Sequence, residues 1–436
     1  MTIIVDGFEL LQTLEIPSIT GTANNTPVMF KYNEFDAGTV AKLRSDGGDL
    51  RISTTTNLLN SRLALHIDSG SFATSDIKGF VKLSTVETGL ILYVWGNKPA
   101  ATQPANTAQF GRDETYSNEL RYWGLNEQPS AIEDYTGNSS GYTSVLTGIT
   151  SATVAGNVGL NFNSQTVQRY IDFGSIAGLG KNITLQTAVY TGVGGNAART
   201  IFSSKDAAEV NCQIIFFNNR IYATHRNTST GGNVLSSSIP LNQWVYITQV
   251  VNNNSNKLYI DGVEVDELIS SAFTVNQTGI TNQLGAMDTG AQQHVNNLTD
   301  CTVDYVSLRD SSKTATEIAI EYSNLSSVSP WFIAGAAPTP AINNKAALGS
   351  ITRLSQNGAI LLEDLSMTEQ TRLFFTTLLQ ELTERSLLFG TGSPEGLVSA
   401  KKGQTYQDDA GAAGTIRYAK SVDNINGDDT KGWVLI

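Results

Sequence analysis

The chain has 436 residues, 40% of them hydrophobic and only 16% charged, with a net charge of −12. That length suits about two to four domains of ordinary size, with Gly, Ser, Thr and Asn filling in for the missing charges. Nucleic acid needs a basic face, and a membrane span needs ~18 to 20 consecutive apolar residues; the sequence offers neither.

The opening MTIIVDGFELLQTLEIP meets Asp6 early and lacks a basic start and a long apolar run. No secretory signal is expected, and folding is expected in a cytoplasm. Cys212 and Cys301 lie in strand-like runs and are expected to be reduced and buried, a cross-sheet disulfide being the alternative. The N-x-S/T triplets at Asn138, Asn182 and Asn297 are then expected to carry no glycan.

Residues 1 to about 100 read as short strands: TPVMFKY, DLRIST, RLALHID, IKGFVKL and GLILYVWGN. Alternation places Leu63, Leu65 and Ile67 on one face, with His66 on the opposite, exposed one. Gly and Asp mark the turns, and the segment predicts a small β-sandwich. Residues 101 to about 150 are loop-rich. Strands return at even spacing to about residue 330, predicting a two-sheet jelly roll closed by the short helical stretch SKTATEIAIEYSNL. In the hairpin NQWVYITQVVNNNSNKLYIDGVEVD, Trp244, Tyr246 and Thr248 alternate with Val245 and Ile247, and Asp261-Gly262 supplies a tight turn.

AGAAPTPAINN reads as a linker. Beyond it, Ser366 and Glu369 form a capping box. Phe375, Leu378, Leu382 and Phe389 recur at helical spacing, with Gly390 as the stop. The ending, from Gly390 to Ile436, is poor in large apolar residues and predicts short strands without a core of their own.

Three segments resemble known families. SDGGDLRIS, GLILYVWGNKPA and RYWGLNE are similar to an uncharacterised β-sandwich module that often precedes jelly rolls in secreted and phage proteins; Gly124 stands where that family usually has His. DYTGNSSGYT, the NQWVYITQVV hairpin and CTVDYVSLRDSSKTATEIAIEYSNL resemble the laminin-G-like, concanavalin-A-like jelly roll, with Asp304 on the penultimate strand. GTGSPEGLVSAKKGQTYQD, AGTIRYAKS and KGWVLI resemble a terminal module of tailed-bacteriophage tail fibres and other virion proteins.

Catalysis is not expected. Glycosidases on this fold place paired carboxylates on one strand, whereas Glu264, Asp266 and Glu267 follow an Asp-Gly turn at the wrong spacing. His66, His225 and His294 form no metal pair and serve no nucleophile elbow. No cofactor is expected. Calcium is the exception weighed: AMDTGAQQHVNNLTD offers oxygens from Asp288, Asn296, Asn297 and Asp300, against the plainer reading as a turn. For sugar, which takes aromatic faces beside planar polar groups, Trp123, Tyr135, Tyr142, Tyr222, His225 and Arg226 are the candidates, against packing or turn roles.

The expected architecture is mainly β. A β-sandwich module spans 1–130, a jelly roll 131–330, a linker 331–365, a helix 366–390 and a β oligomerisation module 391–436. Phe375, Leu378, Leu382, Phe389, Tyr406, Ile416, Tyr418 and Trp433 are expected to bury between copies, most simply in a homotrimer. The resemblances imply a virion protein, a tail fibre or receptor-binding adhesin assembled in the host cytoplasm. Its partners would be other virion proteins and a bacterial surface glycan or protein. Capsid decoration or a head fibre is the alternative, and a carbohydrate-binding or carbohydrate-active protein the third reading.

Overall fold

The computed structural model describes residues 3–126, 132–138, 144–145, 149–155, 157–162, 170–176, 182–192, 198–205, 210–227, 231–252, 255–269, 281–288, 294–295, 298–337, 387–400, 402–411 and 417–436. The chain divides into two compact units, Met1–Pro340 and Ala341–Ile436. Among the described residues no helix is long and apolar enough to cross a membrane.

The first unit opens with a small sandwich. Strand Phe8–Glu15 alternates buried and half-buried side chains along its whole length, the period of a strand with one face on a core. It pairs with Ile91–Gly96, which pairs with Arg51–Ser53. A second sheet, Ala23–Lys31, Lys78–Val86 and Leu65–Ser69, packs against it through Phe30, Leu50, Val81, Leu92 and Val94.

The larger sandwich has eight strands in one sheet and seven in the other among the described residues. The first is centred on Cys301–Arg309, which pairs with Ile183–Thr191, Asn157–Phe162 and Arg121–Trp123. The second runs Gly231–Ser238, Arg220–Asn227, Val210–Phe217, Arg199–Lys205, Thr281–Leu284, Ile171–Gly174 and Ser144–Val145. Leu160, Phe162, Phe202, Ile214, Ile247 and Val303 fill the space between. The expected hairpin turn forms with Asp261 at φ 50° and Gly262 at φ 78°. A Cβ on Gly262 would meet the Tyr322 ring at 2.9 Å, so the position needs glycine for space as well as conformation.

The jelly-roll helix Ala315–Leu325 starts on a full capping box between Thr314 and Glu317. Its Asn324 side chain accepts from the Met29 amide (2.7 Å) and donates to the Met29 carbonyl (2.9 Å), capping the edge of a strand in the first sandwich. Beside it, Met29, Phe80, Tyr116, Tyr122, Tyr135 and Tyr305 form one buried cluster shared by both sandwiches.

Two boundaries move. Arg121–Trp123 belongs to the jelly-roll sheet, so the module does not end at residue 130. The linker does not begin at 331: Trp331 and Phe332 are buried in the first sandwich, and Ile333–Ala336 pairs antiparallel with Phe8–Glu15. The jelly roll is thus inserted between strands of one small sandwich. His66, expected to be exposed, packs against Tyr135 with ring centroids 4.7 Å apart and shares a 3.2 Å hydrogen bond with the Tyr116 hydroxyl. Burial drives its imidazole down to about 4. The face opposite the leucines meets the tyrosine cluster, not water.

In the second unit, Leu387–Gly390 is a strand parallel to Thr405–Asp408, which continues antiparallel to Arg417–Lys420 and Trp433–Leu435. The expected helix therefore does not reach Gly390; residues 366–386 of it lie outside the described residues.

Candidate functional site

The carboxylates of VEVDELI hold structure. Glu264 accepts from the Tyr259 hydroxyl (2.8 Å) and Lys257 (3.1 Å), and Glu267 pairs with Lys257 at 3.0 Å. Asp266 accepts the Ser236 amide at 3.0 Å, tying the edge of one sheet to the edge of the other. His225 is wholly buried with its strand's core-facing residues Ile221 and Ala223. Cys212 and Cys301 are buried and free, and burial pushes their thiols up to about 12 and about 11.

Two of the aromatic candidates are packing residues. Trp123 is fully buried and stacks on Phe173 at 3.9 Å, because its strand pairs with the sheet's central strand and turns the indole inward. Tyr135 lies in the tyrosine cluster, stacked on Tyr122 at 5.9 Å, and its hydroxyl donates to Asn126. A Cβ on Gly124 would stand 2.6 Å from the Tyr135 ring, so the missing side chain there makes room for the tyrosine. Tyr142 lies outside the described residues, as does the Arg226 side chain.

Tyr222 is different. Ile221 and Ala223 beside it face the core, so the period of two turns Tyr222 to the other face of the seven-stranded sheet. There it pairs across strands with Ile215 and Ser236, one step from Phe217 paired with Arg220. All five are half-buried. The Phe217 and Tyr222 rings are 6.1 Å apart, and the Arg220 guanidinium donates to the Ser236 hydroxyl at 3.0 Å and its carbonyl at 3.3 Å. The next row along this face is polar over five strands: Asp172, Gln283, Ser203, Gln213 and Thr224 lie in register, with Asp172 and Thr224 half-buried and the other three buried. Sequence reading missed the row, although each member alternates with a core residue; only strand pairing aligns them. It contains one carboxylate, whereas retaining and inverting glycosidases use two.

For calcium, the backbone of Asp288 pairs with His294, and Asp300 sits at φ 53° with its amide donating to the Phe162 carbonyl at 2.6 Å. Asn296 and Asn297 lie outside the described residues, and among the described residues no three His, Cys, Asp or Glu side chains converge as metal ligands.

In the second unit the motif residues serve each other within one chain. The Glu395 carboxylate accepts the amides of Trp433 (2.8 Å) and Gly432 (3.0 Å), which hold it below the usual carboxylate range. The Trp433 indole donates to the Val398 carbonyl (3.0 Å), and buried Lys420 donates to the carbonyls of Asp429 and Lys431 under that ring. Tyr406 and Trp433 are thus buried by their own chain, together with Ala400, and not held open for a partner; Tyr418 packs beside them, half-buried. The exposed apolar residues are others: Leu397, Val422, Ile425, Val434, Leu435 and Ile436. Phe375, Leu378, Leu382 and Ile416 lie outside the described residues, and so does the Phe389 side chain, whose backbone is a strand.

Residues 164–319 match the model of the laminin G type within the concanavalin A-like lectin/glucanases superfamily. No curated protein matches the chain. Among solved structures, the receptor binding domain of botulinum neurotoxin D is 13% identical at a TM-score of 0.38, over 48% of this chain and 53% of that one. The botulinum neurotoxin serotype G binding domain is 14% identical at 0.39, over 48% and 52%. The chain thus spans about half the length of each.

Proposed function

We propose that the chain is a non-catalytic attachment protein of a tailed-bacteriophage virion, a tail fibre or receptor-binding adhesin, which holds a bacterial surface glycan on the outward face of the seven-stranded jelly-roll sheet. The observation that carries the reading is the half-buried group of Phe217, Tyr222, Arg220, Ile215 and Ser236 on a face turned away from the core. A sugar ring lays its C–H face on an aromatic ring, while its hydroxyls take the guanidinium and serine hydroxyl beside it. A surface site of this kind binds weakly, and several copies joined through the second unit raise avidity without new contacts. The virion assignment rests on the SPEG, RYAK and KGWV segments at the C-terminus. Binding without turnover is favoured by the single carboxylate of the polar row and by the structural partners of Glu264, Asp266 and Glu267.

The test is binding to a panel of bacterial surface polysaccharides, with labelled polysaccharide followed for cleavage. Tyr222→Ala should weaken binding about tenfold or more while unfolding stability stays within ~1 kcal/mol. Turnover of any panel member would replace this reading with an enzyme. Gold-labelled antibody on intact particles separates tail attachment from the alternative, a decoration or head-fibre protein of the capsid.

A further inference from the structure

Between the two sandwiches lies a charged group that no binding role uses. Lys78 begins strand Lys78–Val86 of the small sandwich, Asp68 lies in the irregular register of its neighbour Leu65–Ser69, and Asp304 sits in the jelly roll's central strand Cys301–Arg309. The Lys78 Nζ stands 3.6 Å from Asp304 Oδ1 and 3.7 Å from Asp68 Oδ2. Both separations exceed a hydrogen bond. The carboxylate side chains are only 6% and 3% exposed, that of Lys78 21%. Among the described residues the Oδ1 atoms of Asp68 and Asp304 are buried with no hydrogen-bond partner, and Nζ lies 5.8 Å over the Phe80 ring.

As an ion pair this is poor. Buried carboxylates normally collect hydrogen bonds, and a charge taken from water without them tends to neutralise. An amine at van der Waals range from one carboxyl, with a second carboxyl beside both and aromatic walls around, is arranged for condensation.

We propose that Lys78 and Asp304 condense into an intramolecular isopeptide bond that fastens the jelly roll to the small sandwich, with Asp68 carrying the proton. One proton of the ammonium passes through Asp68 to the Asp304 carboxyl, and the free amine attacks the carboxyl carbon. The C–N bond forms as the C–O bond breaks, and Asp68 carries a second proton from the nitrogen to the departing hydroxyl, which leaves as water. One ammonium and one carboxylate become one amide and one water, with no oxidant or co-reactant. Burial raises the Asp304 carboxyl above its usual range, favouring the protonated, electrophilic form. Burial opposes the charge on Lys78, but Asp304 and Asp68 outweigh it and keep the amine protonated, which is why a nearby base is required. The remaining exposure of Lys78 gives the released water a way out.

Intact mass of the denatured full-length protein decides the matter. The expected mass is one water below that of the sequence, and a tryptic map should yield a branched peptide joining the Lys78 and Asp304 segments. Lys78→Met and Asp304→Ala should each restore the missing water. Asp68→Asn, which keeps both reacting groups, should leave most of the protein at full mass. A wild-type chain at full mass overturns the bond. A branch mapped to Asp68 overturns the choice of electrophile, and a fully condensed Asp68→Asn chain overturns the proton carrier. None of these outcomes depends on what the protein binds.

Discussion

Glu34 and Trp331 are 297 residues apart in sequence, yet the Glu34 carboxylate accepts the Trp331 amide at 2.8 Å and the neighbouring Phe332 amide at 3.0 Å. One buried side chain thus holds the returning segment in the small sandwich. Glu34→Ala leaves two buried amides unmet and should cost about 2 to 4 kcal/mol in denaturant unfolding. Glu34→Gln keeps one acceptor and should cost roughly half as much. A cost below about 1 kcal/mol for Glu34→Ala would mean that the Ile333–Ala336 ladder holds the segment unaided.

Glu119 contributes to the acid response. Burial would raise its carboxyl, but Lys313 and Arg309, with a hydrogen bond from Ser307, outweigh that and hold it at about 2 against an ordinary 4.5. The folded value lies below the unfolded one, so the group's stabilisation is complete above pH 4.5 and is lost as pH falls from 4.5 to about 2. The difference corresponds to roughly 3 kcal/mol. Thermal melts across that window should show the loss, and Glu119→Gln should flatten it. At neutral pH the same substitution leaves Arg309 and Lys313 under-paired and should cost about 3 to 5 kcal/mol.

Gly124 and Tyr135 should behave as a coupled pair. A Cβ at Gly124 overlaps the Tyr135 ring, so Gly124→Ala should destabilise by about 1 to 3 kcal/mol. In a Tyr135→Ala background the cost should nearly vanish. A double-mutant cycle with no coupling would show that the ring shifts freely.

Self-association should follow the exposed apolar residues of the second unit, not its buried aromatics. Val434 is 50% exposed and Ile436 67%, whereas Tyr406 is 2% and Trp433 8%. If the full chain is a trimer in light scattering, removing residues from Gly390 onward should give a monomer. Val434→Asp with Ile436→Asp should weaken the trimer without unfolding the unit, whereas Trp433→Ala should unfold it. A monomeric full-length chain refutes the assembly.

How far the sequence reached depended on which contacts it could foresee. Alternation found the strands and the core faces of Leu65, Val245 and Ile247, and Asp261-Gly262 announced its own turn. Alternation tells two faces apart but does not say what covers the second. Alternation alone therefore leaves His66 facing water and Trp123 open to a sugar, whereas each packs against a neighbour supplied by distant chain. Among the sugar-site residues whose side chains are described, Tyr222 lies on an outward face, because its neighbours Ile221 and Ala223 fix the direction. Glu34, Lys78 and Glu119 gave no local signal, since their partners lie across the fold. The short motif at the C-terminus was legible as a pattern, but its meaning, Glu395 holding the Trp433 strand, joins residues 38 apart that only the fold brings together.

The antiparallel match of Ile333–Ala336 with Gln12–Glu15 determines how the first unit would carry a load. The chain enters through one of these strands and leaves through the other, so the jelly roll is a side branch and not a bead on the string. Tension between the N-terminal end and the segment after Ala336 meets the four-rung ladder before it reaches any jelly-roll strand, and peels it from the Gln12–Ala336 rung inward. The jelly-roll sheets lie behind that ladder, and the strand that returned to the small sandwich gives way first.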